Sequence, residues 1–161
     1  AAMEAGQYVT WYPSYGSEMR GGTTNCNVKI SDEEIASPYC ADGEVDILFT
    51  LNNAAIDKFE HTLRPGGILL VNSSLVEPDR SYRDDVTVIK VPANEIAVEE
   101  GNTPGVNLVM LGALARASSD FDAHAMLSVV NYFFFNKLCK DYPAIAASVK
   151  RGEEIAAQQL D

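Results

Sequence analysis

The spacing of apolar positions is strand-like through the first half of the chain and helix-like through the last third. Tyr8 to Tyr12 (YVTWY) is rich in β-branched and aromatic residues and predicts a strand. From Thr24 to Ser31, Cys26, Val28 and Ile30 alternate with Asn25, Asn27 and Lys29, which predicts a strand with one buried face and one wet face. Val45 to Leu51 (VDILFTL) and Ile68 to Val71 (ILLV) are near-continuous apolar runs, the mark of strands covered on both sides. Between them, Asn52 or Asn53 can cap a helix reaching about His61, and Pro65-Gly66-Gly67 turns the chain into the second run. Val86 to Val91 is a further strand, and Pro92 can open a short helix in its first turn. Strand, helix, strand at this spacing is the βαβ signal of a sheet with parallel strands.

Val106 to Ser118 carries Leu108, Val109, Leu111 and Leu114 at helical spacing, with Ala and Gly where close packing needs them. Ala123 to Cys139 sets Met126, Leu127, Val130, Phe133, Phe134 and Leu138 on one broad face and Ser128, Tyr132, Phe135 and Cys139 on the opposite one. A helix apolar on two sides is sandwiched, here against a second helix of the same domain or against a partner subunit. Tyr132 and Phe135 are therefore candidate interface residues, and in the isolated chain a candidate homodimer contact. Pro143 opens a last amphipathic helix with Ile145, Val149 and Ile155, ending at Asp161. Ala1 to Ala5 (AAMEA) reads as the tail of a helix stopped by Gly6, so a segment is expected to precede it. The predicted class is α/β: one domain over 1–161, three layers α/β/α, with a mixed, mainly parallel sheet and a helical C-terminal third.

With 161 residues and 47% apolar composition, the chain can bury a core that needs no disulfide or metal staple. No apolar run approaches the roughly 18–20 residues of a membrane span, and no basic-then-apolar secretion signal opens the chain. Twelve Lys plus Arg against 23 Asp plus Glu give a net charge of −11, which repels phosphate backbones and argues against nucleic acid as a partner. Cys26, Cys40 and Cys139 are odd in number and widely spaced, as expected for free thiols in a reducing cytoplasm. There is no C-x-x-C pair, so this chain alone cannot wrap an iron–sulfur cluster or a zinc ribbon, and His61 and His124 are too far apart for a local metal motif. The G-x-S-x-G, Walker, G-x-G-x-x-G and H-E-x-x-H patterns are all missing, and no catalytic residue is assigned. Asp46 to Val71 has the generic outline of late strands in a Rossmann-type methyltransferase, without the glycine-rich cofactor loop or acidic ribose contact that would make the match specific.

Two places can carry chemistry. The loop from Pro13 to Gly22 holds Gly16, Gly21 and Gly22, which permit positive φ or close approach by another backbone or a ligand. Among them stand Glu18 and Arg20, with Ser14 and Tyr15 as hydroxyls. Arg20, followed by glycine, can present its fork to a carboxylate or phosphate, or can pair with Glu18 in a rigid loop without chemistry. Asn72-Ser73-Ser74 follows a buried strand at the edge of an open α/β sheet where ligands bind; it serves equally well as a polar turn capping that strand.

The run Ser14-Tyr15-Gly16-x-Glu18-Met19-Arg20-Gly21-Gly22-Thr23, then Asn25-Cys26-x-Val28-x-Ile30-Ser31-Asp32 and Ile35-x-Ser37-Pro38, resembles the gamma subunit of 2-oxoacid:ferredoxin oxidoreductases, above all the 2-oxoglutarate and branched-chain (ketoisovalerate) types. Leu63-x-Pro65-Gly66-Gly67, Asn72-Ser73-Ser74, Pro92-Ala93 and Asn107 through Leu111-Gly112 extend the likeness over residues 7 to about 118. The resemblance implies one subunit of an oxidoreductase that decarboxylates a 2-oxoacid on thiamine diphosphate and magnesium, passes electrons through iron–sulfur clusters to ferredoxin, and releases acyl-coenzyme A. It implies alpha, beta and ferredoxin-like delta partner subunits that hold those cofactors, and an isolated chain without activity. It places Tyr15, Gly16, Glu18, Arg20, Gly21 and Gly22 at the interface with the catalytic subunits, with Arg20, Asn72 and Ser73 on the coenzyme A side. The family's strand and glycine-rich turn before the first helix have no counterpart ahead of Ala1, so the gamma-type domain is expected to lack that segment here. The competing readings are a free-standing small-anion-binding or regulatory domain of the same fold, and the related indolepyruvate oxidoreductase beta subunit.

Overall fold

A computed structural model of the chain describes residues 1–15, 24–118, 126–130, 132 and 143–160. Strands β1 (Tyr8–Tyr15) and β2 (Thr24–Ser31) form an antiparallel hairpin. Strands β3 (Val45–Thr50), β4 (Leu63–Asn72) and β5 (Thr87–Val91) form a parallel sheet in the order β3-β4-β5. Helices α1 (Asn53–Phe59), α2 (Ala93–Glu99), α3 (Val106–Ala117) and α4 (Pro143–Leu160) complete the described elements, and residues 126–130 and Tyr132 are helical.

Alternation along β4 sorts the core into two sides. Leu69 and Val71 point into a cluster with Ile56 of α1, Leu63 and Val76. Leu70 points the other way, joining Ile89 and Val91 of β5, Ile96 of α2 and Val109 and Met110 of α3. All of these sheet residues are fully buried, and each such side chain stabilises the fold by roughly 1.5–3 kcal/mol. The result is the expected three layers, with the sheet between α1 on one side and α2, α3 and α4 on the other. The antiparallel pair is a separate two-stranded sheet.

The layer around α1 departs from a regular α/β crossover. No α-helix connects β4 to β5; the chain from Ser73 to Val86 passes through a 3-10 turn (Ser73–Leu75) and then lays Val76, Tyr82 and Val86 on the α1 cluster. Arg83 holds this segment in place of a helix. Its Nη1 donates to the carbonyls of Glu60 (3.0 Å) and Leu63 (2.9 Å), while Nε and Nη2 grip the Asp85 carboxylate at 2.9 and 2.6 Å. The bond from Arg83 lowers the Asp85 pKa below its ordinary value.

Pro65-Gly66-Gly67 lies inside β4 rather than between elements. Val45 pairs with Leu63 and Ile47 with Ile68, so extra residues are accommodated as a bulge. Gly66 takes φ +76°, and its N–H donates to the Asp85 carbonyl at 2.6 Å. Residues 2–6 form a single turn instead of a helix tail. The turn nevertheless closes as helices do: Gly6 takes φ +86°, and the N–H groups of Gly6 and Gln7 reach the Met3 and Ala2 carbonyls, both at 3.1 Å.

Helices α3 and α4 touch backbone to backbone. A Cβ at Gly112 would lie 1.8 Å from the Val149 carbonyl oxygen, and one at Gly152 would lie 1.8 Å from that of Val109. Only glycine at both positions permits this crossing. Beside it the buried Ser148 hydroxyl donates to the Ala144 carbonyl (2.7 Å) and accepts from the Asn102 amide (3.2 Å).

The hairpin reverses the burial its alternation predicts. Cys26 and Val28 are exposed, whereas Asn25, Asn27 and Lys29 are half-buried. Trp11, directly opposite Val28, is 64% exposed and Val28 itself 53%.

Candidate functional site

The carboxyl ends of parallel strands are where open α/β sheets bind ligands, because the loops leaving them diverge. Here β3 ends at Thr50, β4 at Asn72 and β5 at Val91. The edge is tied together by side chains. Asn52 caps α1, its Oδ1 accepting from the Ala55 N–H at 2.9 Å. Thr50, buried, donates its hydroxyl to the Leu70 carbonyl at 3.1 Å.

Asn72 is the centre of this edge and is 0% exposed. Its Oδ1 accepts from the N–H groups of Ser74 and Ala93, both at 3.3 Å, and its Nδ2 donates to Asn94 Oδ1 at 2.9 Å. The Ser74 hydroxyl accepts from the Asn94 N–H at 3.0 Å and donates to the Glu95 carboxylate. One amide thus joins the end of β4 to the start of α2, and leaving those buried groups unpaired would cost about 1–3 kcal/mol. The Asn72 side chain is held by the protein itself. Ser73 is half-buried, and among the described residues nothing bonds its hydroxyl. A shallow groove along α2 is lined by Asn94, Glu95, Val98 and Glu99, two carboxylates with no cation among them. Arg151 of α4 answers part of that charge, with Nη2 3.9 Å from Glu99, while its Nε lies 3.4 Å from the neighbouring Glu100.

Asn94 and Glu95 were not among the residues expected at this edge. The signal was available, since residues that follow a third parallel strand must lie beside those that follow the second.

Of the loop expectations, Tyr15 is the last residue of β1, paired in register with Thr24. Gly16, Glu18, Arg20, Gly21, Gly22 and Phe135 lie outside the described residues. Tyr132 is on a helix and 72% exposed. His61 is a surface residue with Nε2 3.2 Å from Asp42, as its polar context suggests; His124 and Cys139 lie outside the described residues. Cys26 and Cys40 are free thiols. Among the described residues no group of three or more His, Cys, Asp or Glu side chains is arranged to hold a metal ion, and no helix is long and apolar enough to cross a membrane.

The fold and its edge define a class: a three-layer α/β domain whose strand ends are locked by internal hydrogen bonds and whose hairpin carries an open apolar face. Residues 1–154 match the family described as Pyruvate ferredoxin/flavodoxin oxidoreductase, and the chain belongs to that family. It is 42% identical over 114 residues to the 2-oxoglutarate synthase subunit KorC of Methanocaldococcus jannaschii, covering 70% of this chain and 60% of that one. It is 36% identical over 138 residues to the ketoisovalerate oxidoreductase subunit VorA of Methanothermobacter marburgensis, covering 85% of this chain and 28% of that one. The chain therefore spans little more than a quarter of one relative and three fifths of the other. Among solved structures, the gamma subunit of a keto/oxoacid ferredoxin oxidoreductase from Geobacter sulfurreducens is 26% identical with a TM-score of 0.71, covering 97% of this chain and 84% of that one. A 2-oxoglutarate:ferredoxin oxidoreductase from Magnetococcus marinus shares the fold at a TM-score of 0.77, with 20% identity and 27% of that chain covered.

Proposed function

We propose that this chain is the gamma-type subunit of a multi-subunit 2-oxoacid:ferredoxin oxidoreductase. In the reaction, the bond between the 2-oxoacid's carboxylate and its oxo carbon breaks, carbon dioxide leaves, and the acyl group joins the sulfur of coenzyme A. The two electrons released pass singly to ferredoxin. The family match over residues 1–154 is the observation that carries this reading, and the gamma subunit of similar size from Geobacter sulfurreducens supports it. Thiamine diphosphate, magnesium and iron–sulfur clusters belong to alpha, beta and ferredoxin-like delta partners in the cytoplasm, and the isolated chain is inactive. The relatives named for 2-oxoglutarate and ketoisovalerate, at 42% and 36% identity, rank those acids ahead of pyruvate, whose synthase subunits are 26% and 28% identical.

Within the complex, the gamma-type domain over 1–161 supplies structure and a ligand edge. Tyr15, Gly16, Glu18, Arg20, Gly21 and Gly22 sit against the catalytic subunits, and Tyr132 and Phe135 give a second contact face. On the coenzyme A side, Ser73 offers the available hydroxyl, while Asn72 positions the strand end from which it projects. The groove at that edge is lined by two carboxylates, of which only Glu99 is near a cation of this chain, Arg151 at 3.9 Å, so a coenzyme A phosphate there calls for a further cation, Arg20 or one from a partner.

The test is anaerobic purification of the tagged chain from its native cells, followed by acceptor-dye reduction with a panel of 2-oxoacids and coenzyme A. Co-purifying thiamine-diphosphate-binding and ferredoxin-like chains, with activity on 2-oxoglutarate or a branched-chain acid, supports the reading. Recovery of this chain alone overturns it. In the active complex, Arg20→Ala should raise the coenzyme A KM on the order of tenfold with kcat little changed; an unchanged KM removes Arg20 from the site.

A further inference from the structure

Among the described residues, the β1–β2 hairpin has an apolar face that is open at its centre, with Val9, Pro13 and Ile30 half-buried around it. Strand alternation and the pairing of Trp11 with Val28 put Val9, Trp11, Pro13, Cys26, Val28 and Ile30 on one side. That side bears no charge on a chain of net charge −11, and its centre is the 64% exposed Trp11 beside the 53% exposed Val28. A lone two-stranded hairpin is marginal in water, and apolar faces this open belong to interfaces.

We infer that this face is the docking surface for the catalytic chain, the polypeptide corresponding to the part of the ketoisovalerate relative that lies outside the match. The inference rests on the reading under Proposed function and names the surface involved. Two observations choose this occupant. The matched region is only 28% of the ketoisovalerate subunit, so in that relative the domain is covalently joined to a much larger polypeptide. Such permanent contacts are the apolar, charge-poor kind, like this face. Area argues against a second copy: eight residues on each of two strands make a face of roughly 300 Å², against about 800 Å² per partner in a standard interface. The hairpin is then one anchor of a broad contact, with Trp11 the aromatic that fills a pocket on the catalytic chain.

The experiment co-expresses the tagged chain with its catalytic chains and measures assembly anaerobically. Trp11→Glu and Val28→Glu should each weaken assembly on the order of thirtyfold, and together abolish it. Tyr12→Glu, on the opposite face, should assemble like the parent. Both glutamates replace side chains already in water, so the isolated variants should melt with the parent. Assembly of the double variant at parental affinity overturns the inference and leaves the subunit reading standing; failure of the parent chain to assemble overturns both. A parental homodimer that Trp11→Glu dissolves, with the complex intact, overturns the inference in favour of a second copy. Because Trp11 is this chain's single tryptophan, 5-fluorotryptophan put into this chain alone, before mixing with unlabelled catalytic chains, gives one fluorine resonance that needs no mutation. Its solvent isotope shift should fall on assembly, and an unchanged shift overturns the inference.

Discussion

The parallel sheet and the hairpin are built from the same material, β-branched and aromatic residues in strand, yet they meet opposite fates. In β4 and β5 the apolar side chains on both faces are sealed by helices and by the Ser73–Val86 segment. In β2 the polar positions Asn25 and Asn27 are more covered than Cys26 and Val28, and Trp11 of β1 stands open opposite Val28. Alternation says which face seeks cover. It does not say whether the cover is part of the same chain. The sheet is closed by its own polypeptide, whereas Trp11 and Val28 at the centre of the hairpin face are not covered by the described residues.

Substitutions sharpen this contrast. The largest effect is expected where α3 and α4 cross. Gly152→Val places carbon on the Val109 carbonyl and should cost more than about 4 kcal/mol in urea unfolding, or leave no folded protein. Leu70→Ala, in the centre of the sheet, opens a cavity and should cost about 3 kcal/mol by the same measurement. Asn72→Ala strips partners from the Ser74 and Ala93 N–H groups and the Asn94 amide, for about 2 kcal/mol, with faster hydrogen exchange at the start of α2. The Arg83–Asp85 pair gives a smaller, acid-dependent term. Asp85 has a lowered pKa in the folded state, so its contribution is full above the ordinary carboxylate range and is lost as pH falls through the lowered value. Urea midpoints across acid pH should show that loss in the parent and not in Asp85→Asn. Smallest of all, Trp11→Ser in the isolated chain should shift stability by no more than about 0.5 kcal/mol, whereas a core tryptophan would cost several times that.

The main lines of the fold were legible because they rest on short-range chemistry. Asn52 marks the start of α1, Pro92 immediately precedes α2 and Pro143 opens α4, as expected of caps and prolines. The apolar runs of β3 and β4 declared strands covered on both sides, and parallel pairing followed. What escaped depends on contacts distant in sequence. Pro65-Gly66-Gly67 has the composition of a turn, and only pairing with β3 makes it a bulge. Nothing local announces that Arg83 will bridge the Glu60 and Leu63 carbonyls and replace a crossover helix. The Gln159 amide closes the free edge of β5, donating to the Lys90 carbonyl at 2.8 Å and accepting from its N–H at 2.9 Å, across most of the chain's second half. At the candidate site, Asn72 was found from its place after a buried strand, but its saturation by Ala93 and Asn94 required α2 in place.

In the reading proposed above, the domain is closed at its sheet and open at its hairpin until the catalytic chain covers it. Amide hydrogen exchange, read on the isolated chain and on the assembled complex, tests it most directly. Slow exchange is expected in β4 and β5 in both states, with exchange in β1 and β2 that is fast in isolation and slows on assembly by at least about a hundredfold. Hairpin amides equally protected in the isolated chain and in the complex would contradict it.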